Sequence, residues 1–161
     1  MGNISIFDFR NYDGLDTSYA KILEDNKNTF GVPTNVSYIL GNDKIYTAFG
    51  DDITRSYADY VERVLRRTKV LIYNGQNDVV VNTPGVLLYL NSLNWEGIHA
   101  WKKTTKRIWT IHDDVQGWAK VNGNLWFVLV NGAGHMVPTN KPVAAFNMLA
   151  HFIGNNHDWR M

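Results

Sequence analysis

Two ionisable residues stand in settings that favour chemistry. Asp78 closes the string Asn74-Gly75-Gln76-Asn77-Asp78, and His135 lies within Gly132-Ala133-Gly134-His135-Met136-Val137-Pro138. Each string directly follows a continuous apolar run, Val70-Leu71-Ile72-Tyr73 before the first and Leu125-Trp126-Phe127-Val128-Leu129-Val130 before the second. Such runs read as strands buried on both faces of a parallel sheet. Reactive groups in open α/β sheets collect beyond the carboxyl ends of the strands. This topology therefore brings one carboxylate and one imidazole to the same edge. A His held by an Asp can take a proton from a nucleophile and return it to a leaving group, while the Asp fixes the tautomer and stabilises the imidazolium. The glycines beside His135 let the backbone turn sharply and leave the ring room. Taken alone, the same spacing also suits a turn-forming Asp and an ordinary polar loop His.

No other residue has a comparable setting. His99, His112, His151 and His157 follow no buried run, and no His pair has metalloprotease spacing. There is no Cys, which excludes a disulfide framework, a thiol nucleophile and a thiolate zinc site. No metal or cofactor is called for. Lys plus Arg number 16 against 15 Asp plus Glu, and this net charge of +1 argues against a nucleic-acid partner. Apolar residues make up 45% of the 161 positions, enough for a core, and 13% are aromatic. No apolar run reaches the roughly 18 residues of a membrane span, and the first residues lack the pattern of a signal peptide. Two glycosylation sequons occur, Asn3-Ile4-Ser5 and Asn35-Val36-Ser37.

The elements that must position the pair read as follows. Residues 1–68 form a helical segment. Tyr19, Ile22 and Leu23 make one apolar stripe. Pro33 opens a short helix carrying Val36, Ile39 and Leu40, closed by Gly41. A third helix runs from Asp51-Asp52 to Arg66-Arg67, with Ile53, Tyr57, Val61, Val64 and Leu65 as its apolar positions. Residues 69–161 change character: a strand at Val70, a helix over Pro84–Leu93, and alternating strands at Arg107–Ile111 and Trp118–Val121. A hairpin signal at Asn122-Gly123 and the Leu125 strand follow, and Pro142 opens a final helix carrying Val143, Phe146, Leu149, Ala150 and Ile153. Trp126 and Phe127 point to opposite faces, so both faces of the sheet need cover. Lys102, Lys103, Lys106 and Arg107 read as solvated surface. The whole is an α/β arrangement with too few strands for a complete doubly wound sheet.

The order Asp then His is that of the α/β-hydrolase triad, whose Ser precedes both. The strings are more specific still. Val70 to Asp78 resembles the strand and acid loop of the serine carboxypeptidase family, and Gly132 to Pro138 resembles its histidine signature. The likeness continues through Leu93-Asn94-Trp95, Trp101-Lys102-Lys103 and the Pro142–Phe152 helix. It reaches back to Ile6-Phe7-Asp8-Phe9-Arg10-Asn11-Tyr12 at the end of the family's cap insertion. The vitellogenic-carboxypeptidase-like branch is the most similar. The resemblance implies the carboxyl-terminal portion of an α/β-hydrolase sheet preceded by a cap-derived helical segment. It implies an enzyme that removes the carboxyl-terminal residue of a peptide, in a lysosomal, vacuolar or secreted setting. It assigns Asp78 as the triad acid and His135 as the general base, and it places Met136 in the pocket for the leaving residue.

One element of that pattern does not occur in these 161 residues. Ser5, Ser18, Ser37, Ser56 and Ser92 all lack the Gly-x-Ser-x-Gly surroundings of the nucleophile. The chain matches about the last third of a family member, and its amino end reads as cut off. Losing the nucleophile of such a triad costs on the order of 10⁶-fold in turnover. Three readings follow: the smaller piece of a processed enzyme, partnered by an amino-terminal chain that carries the Ser; a truncated product; or a non-catalytic relative with a binding or assembly role.

Overall fold

The computed structural model describes residues 5, 7–10, 17–37, 39 and 42–159. The chain divides into two compact units, Asp13–Ser56 and the combination of Met1–Tyr12 with Tyr57–Met161.

In the smaller unit, three short helices are described: α1 (Thr17–Asp25), α2 (Asp43–Ala48) and α3 (Gly50–Ile53). Asn42 caps α2 by accepting hydrogen bonds from the backbone N–H groups of Lys44 and Ile45, at 3.1 and 3.3 Å. Of the stripe expected on α1, Ile22 is exposed and Leu23 half-buried, and the Tyr19 side chain lies outside the described residues. No helix forms at 33–37, where a single turn bonds the Val36 N–H to the Pro33 carbonyl at 3.0 Å. Asn, Ser and β-branched residues there favour turns over helix; Leu40 and Gly41 lie outside the described residues. The helix expected from Asp51 to Arg67 is two helices. The Thr54 hydroxyl bonds back to the Gly50 and Asp51 carbonyls at 3.3 and 3.4 Å, a local alternative to helix propagation. The chain resumes as α4 (Ala58–Leu65), which belongs to the larger unit.

The larger unit continues as β1 (Val70–Gly75), α5 (Thr83–Ser92), α6 (Ile98–Lys103), β2 (Arg107–Ile111), β3 (Asp114–Asn122), β4 (Leu125–Val130), α7 (Val137–Asn140) and α8 (Pro142–Ile153). The sheet order is β1-β4-β3-β2. β1 and β4 run parallel in register from Val70↔Leu125 to Gly75↔Val130, while β2/β3 and β3/β4 are antiparallel hairpins. The turn between β2 and β3 consists of His112 and Asp113, both at positive φ (50° and 66°), the signature of a primed hairpin turn made without glycine. All six residues of β4 are buried, and its alternation feeds two cores. Trp126, Val128 and Val130 pack with Trp109 and with Ala144, Ala145 and Met148 of α8. Leu125 and Phe127 pack on the other face with Leu65, Leu90, Leu93 and Trp101.

Two further expectations need correction. β1 is not buried on both faces: Val70 to Ile72 are half-buried and Tyr73 is 43% exposed. Among the described residues β1 has β4 as its sole neighbour in the sheet, so it is an edge strand. In α8 the large apolar positions Val143, Phe146, Leu149 and Ile153 face outward, and Phe146 is 76% exposed. The buried face is Ala144, Ala145, Met148 and His151, where small side chains let the helix lie close on the sheet. The basic run Lys102, Lys103, Lys106 and Arg107 is exposed. No described helix is long and apolar enough to cross a membrane.

Candidate active site

The site grows from the carboxyl ends of the parallel pair. β1 ends at Gly75 and β4 at Val130, side by side in the register, so the loops that follow leave the sheet at one edge. Backbone bonds join them: Gln76 N–H to the Val130 carbonyl at 3.0 Å, and Asn77 N–H to the Ala133 carbonyl at 2.9 Å. The Gln76 side-chain carbonyl accepts from Gly132 N–H at 3.1 Å, and that of Asn140 accepts from Gly134 N–H at 2.8 Å. Gly75 makes this closeness possible, because a Cβ there would lie 2.1 Å from the Gly134 carbonyl oxygen and 2.5 Å from that of Ala133.

The loops bring Asp78 and His135 together. His135 Nδ1 is 2.9 Å from Asp78 Oδ2, within the 2.6–3.2 Å reach of a working acid–base pair. Asp78 Oδ1 accepts from Val81 N–H at 3.0 Å, so each carboxylate oxygen has its own partner and the group cannot swing away. Asp78 is buried, while 35% of the His135 side chain remains accessible. Because a carboxylate only accepts hydrogen bonds, the contact places the proton on Nδ1 and leaves Nε2 as the basic nitrogen. A cleft of about 210 Å³ opens beside the pair, lined by Tyr73, Asn74, Gly75, Asp78, Val81, His135 and Val137. Such an arrangement can serve as the base and orienting acid of nucleophilic catalysis. Met136 is next in sequence, 50% exposed and outside that lining; its carbonyl accepts from Thr139 and Asn140 N–H at 3.0 Å each as α7 begins. Among the described residues no group of three His, Asp or Glu is placed to hold a metal.

A third segment joins the site. Phe7 O accepts from His135 N–H at 2.6 Å, and Phe9 N–H donates to Asn77 O at 3.3 Å. The Phe7 and His135 rings lie 5.6 Å apart. Asp8 is buried and paired with Arg10. The guanidinium hydrogen bond is the main reason the Asp8 carboxyl titrates below its ordinary value, and the same bond raises Arg10. The sequence carries no signal that would place these residues at the site, because their contacts there are backbone bonds to residues far along the chain.

The comparisons with known proteins agree with this architecture. A family profile described as serine carboxypeptidase matches residues 11–155. The venom serine carboxypeptidase of Apis mellifera is 32% identical over 121 residues, 75% of this chain and 26% of that protein. The vitellogenic carboxypeptidase of Aedes aegypti is 31% identical over 117 residues, 73% of this chain and 25% of that protein. The chain thus spans about a quarter of the length of these curated relatives. Among solved structures, Kex1(delta)p, a prohormone-processing carboxypeptidase from Saccharomyces cerevisiae, matches with a TM-score of 0.79 at 19% identity, covering 94% of this chain and 36% of that one. At that identity the likeness establishes the fold, part of the sheet of an α/β hydrolase.

Proposed function

Because this chain belongs to the serine carboxypeptidase family, we propose that it supplies the acid–base half of a serine peptidase site that releases the carboxyl-terminal residue of a peptide. Asp78 is the triad acid and His135 the general base. The nucleophilic Ser comes from outside this sequence, on an amino-terminal portion or partner chain. His135 Nε2 takes the Ser hydroxyl proton as the oxygen attacks the last peptide carbonyl, and then delivers that proton to the departing amine. Asp78 holds Nδ1–H and stabilises the imidazolium between the two steps. The family resemblance alone assigns Met136 to the space for the leaving residue, since its side chain is exposed beside His135 and outside the lining of the cleft. A peptide carboxyl terminus is the ligand, and the compartment is lysosomal, vacuolar or secretory. The reading is carried by the 2.9 Å contact between Asp78 and His135 at one sheet edge, beside an open cleft.

One observation favours a second reading, a non-catalytic module with a binding or assembly role: the outward apolar stripe of α8. One experiment tests the placement of the nucleophile outside this sequence. Exposed to a serine-directed fluorophosphonate and to an N-blocked dipeptide, the 161-residue chain alone is expected to take no label and release no residue. Stoichiometric labelling at Ser5, Ser18, Ser37, Ser56 or Ser92 would show that the nucleophile lies within this sequence and would overturn the assignment.

A further inference from the structure

We infer that residues 7–10 act as a positioning strap for the Asp78–His135 pair, locked by the ion pair between Asp8 and Arg10. The inference rests on reading Asp78 and His135 as the reacting acid and base. The strap touches both loops through its own backbone, Phe9 N–H to the Asn77 carbonyl in the acid loop and the Phe7 carbonyl to His135 N–H in the histidine loop. It thereby ties the residue before Asp78 to His135 itself. Its conformation is set by Asp8, whose Oδ1 accepts from Arg10 N–H at 3.0 Å and from Arg10 Nε at 2.9 Å, while Oδ2 pairs with Arg10 Nη2. The first bond closes a turn of the Asx type. The other two hold the side chains in a fork, the strongest ion-pair geometry open to Arg.

The histidine loop is shaped to receive the strap. A Cβ on Gly134 would stand 2.5 Å from the Phe7 carbonyl oxygen and 2.6 Å from Asp8 Cβ, so only glycine admits this approach. Neither Asp8 nor Arg10 lines the cleft, so they act on the pair without touching the space beside it.

Reactivity of His135 toward diethyl pyrocarbonate, read residue by residue by mass spectrometry, tests the strap through its effect on the coupling of the pair. In the 161-residue chain, Asp78→Asn is expected to slow modification of His135 by about threefold, the low end for groups in direct contact. In Asp8→Ala the same Asp78→Asn change is expected to have no effect, because the pair is no longer held together. An undiminished effect of Asp78→Asn in the Asp8→Ala background would overturn the strap and leave the pair standing. No effect of Asp78→Asn in the otherwise intact chain would overturn the pair, and the strap with it. His151, buried in α8, reports unfolding. If it becomes reactive in Asp8→Ala, Arg10→Gln decides the matter, since that side chain is 45% exposed and its loss spares the core. Loss of coupling in Arg10→Gln with His151 still protected supports the strap, and full coupling there overturns it.

Discussion

Asp78 divides its carboxylate between two duties, one oxygen held by the Val81 backbone and the other on His135. The imidazole is therefore aimed by a group that is itself anchored. Two glycines set the tolerance of this arrangement. Adding a methyl group at Gly75 or Gly134 drives a Cβ into backbone atoms that cannot rotate away, so Gly75→Ala and Gly134→Ala are each expected to cost about 1–3 kcal/mol. Urea unfolding midpoints of the variants check this. Asp8 adds a pH dependence. Its carboxyl lies below the ordinary value of 3.8 in the folded chain because Arg10 binds it. The stabilisation is thus complete above about pH 4 and lost as pH falls through the lower folded value. The difference in melting temperature between the chain and Asp8→Asn is expected to be constant from pH 7 to about 4 and to shrink progressively as the pH falls further, through the lower folded value. Asp78 and His135 were legible because each follows an apolar run closed by glycine. The strap was not, because its bonds come from backbone atoms whose partners lie some seventy and one hundred and thirty residues away, and no local pattern encodes them.

At the scale of the element, α8 is the most instructive case. Its sequence offers two apolar faces, and counting large side chains selects Val143, Phe146, Leu149 and Ile153. The sheet instead takes Ala144, Ala145 and Met148. Met148→Ala is expected to cost about 2–4 kcal/mol through the cavity it leaves, whereas Phe146→Ser is expected to stay within about 0.5 kcal/mol. Chemical denaturation of the two variants distinguishes the faces, and the reverse order would mean that α8 is rotated. The strands were easier to read. β4 is a continuous apolar run because neighbours on both sides and helices on both faces bury it. β1 has a similar composition and lacks the second neighbour, a difference that lies outside the strand's own residues. The His112-Asp113 turn escaped notice because neither residue is the usual glycine of a primed turn.

For the whole molecule, the two ends of the sheet contrast. The outer edge of β2 is partly closed by the tail, where Thr110 N–H donates to the Trp159 carbonyl at 2.9 Å. The outer edge of β1 has no strand beside it among the described residues, and such edges recruit other chains. With the exposed stripe of α8, this leads us to expect self-association of the chain when it is produced alone. Sedimentation velocity at micromolar concentration should show associated species that Phe146→Glu reduces; a monomer with a sharp cooperative melt would favour an independent module. Asp78 and His135 are proposed as the working acid and base of a carboxypeptidase whose Ser lies elsewhere. The most direct measurement uses a chimera in which this chain replaces the aligned segment of a serine-bearing relative, assayed for release of the last residue of an N-blocked dipeptide. The chimera is expected to turn over, and His135→Gln and Asp78→Asn are each expected to lower kcat on the order of 10⁴-fold or more. An active chimera that keeps its turnover within about tenfold after either substitution would contradict the assignment.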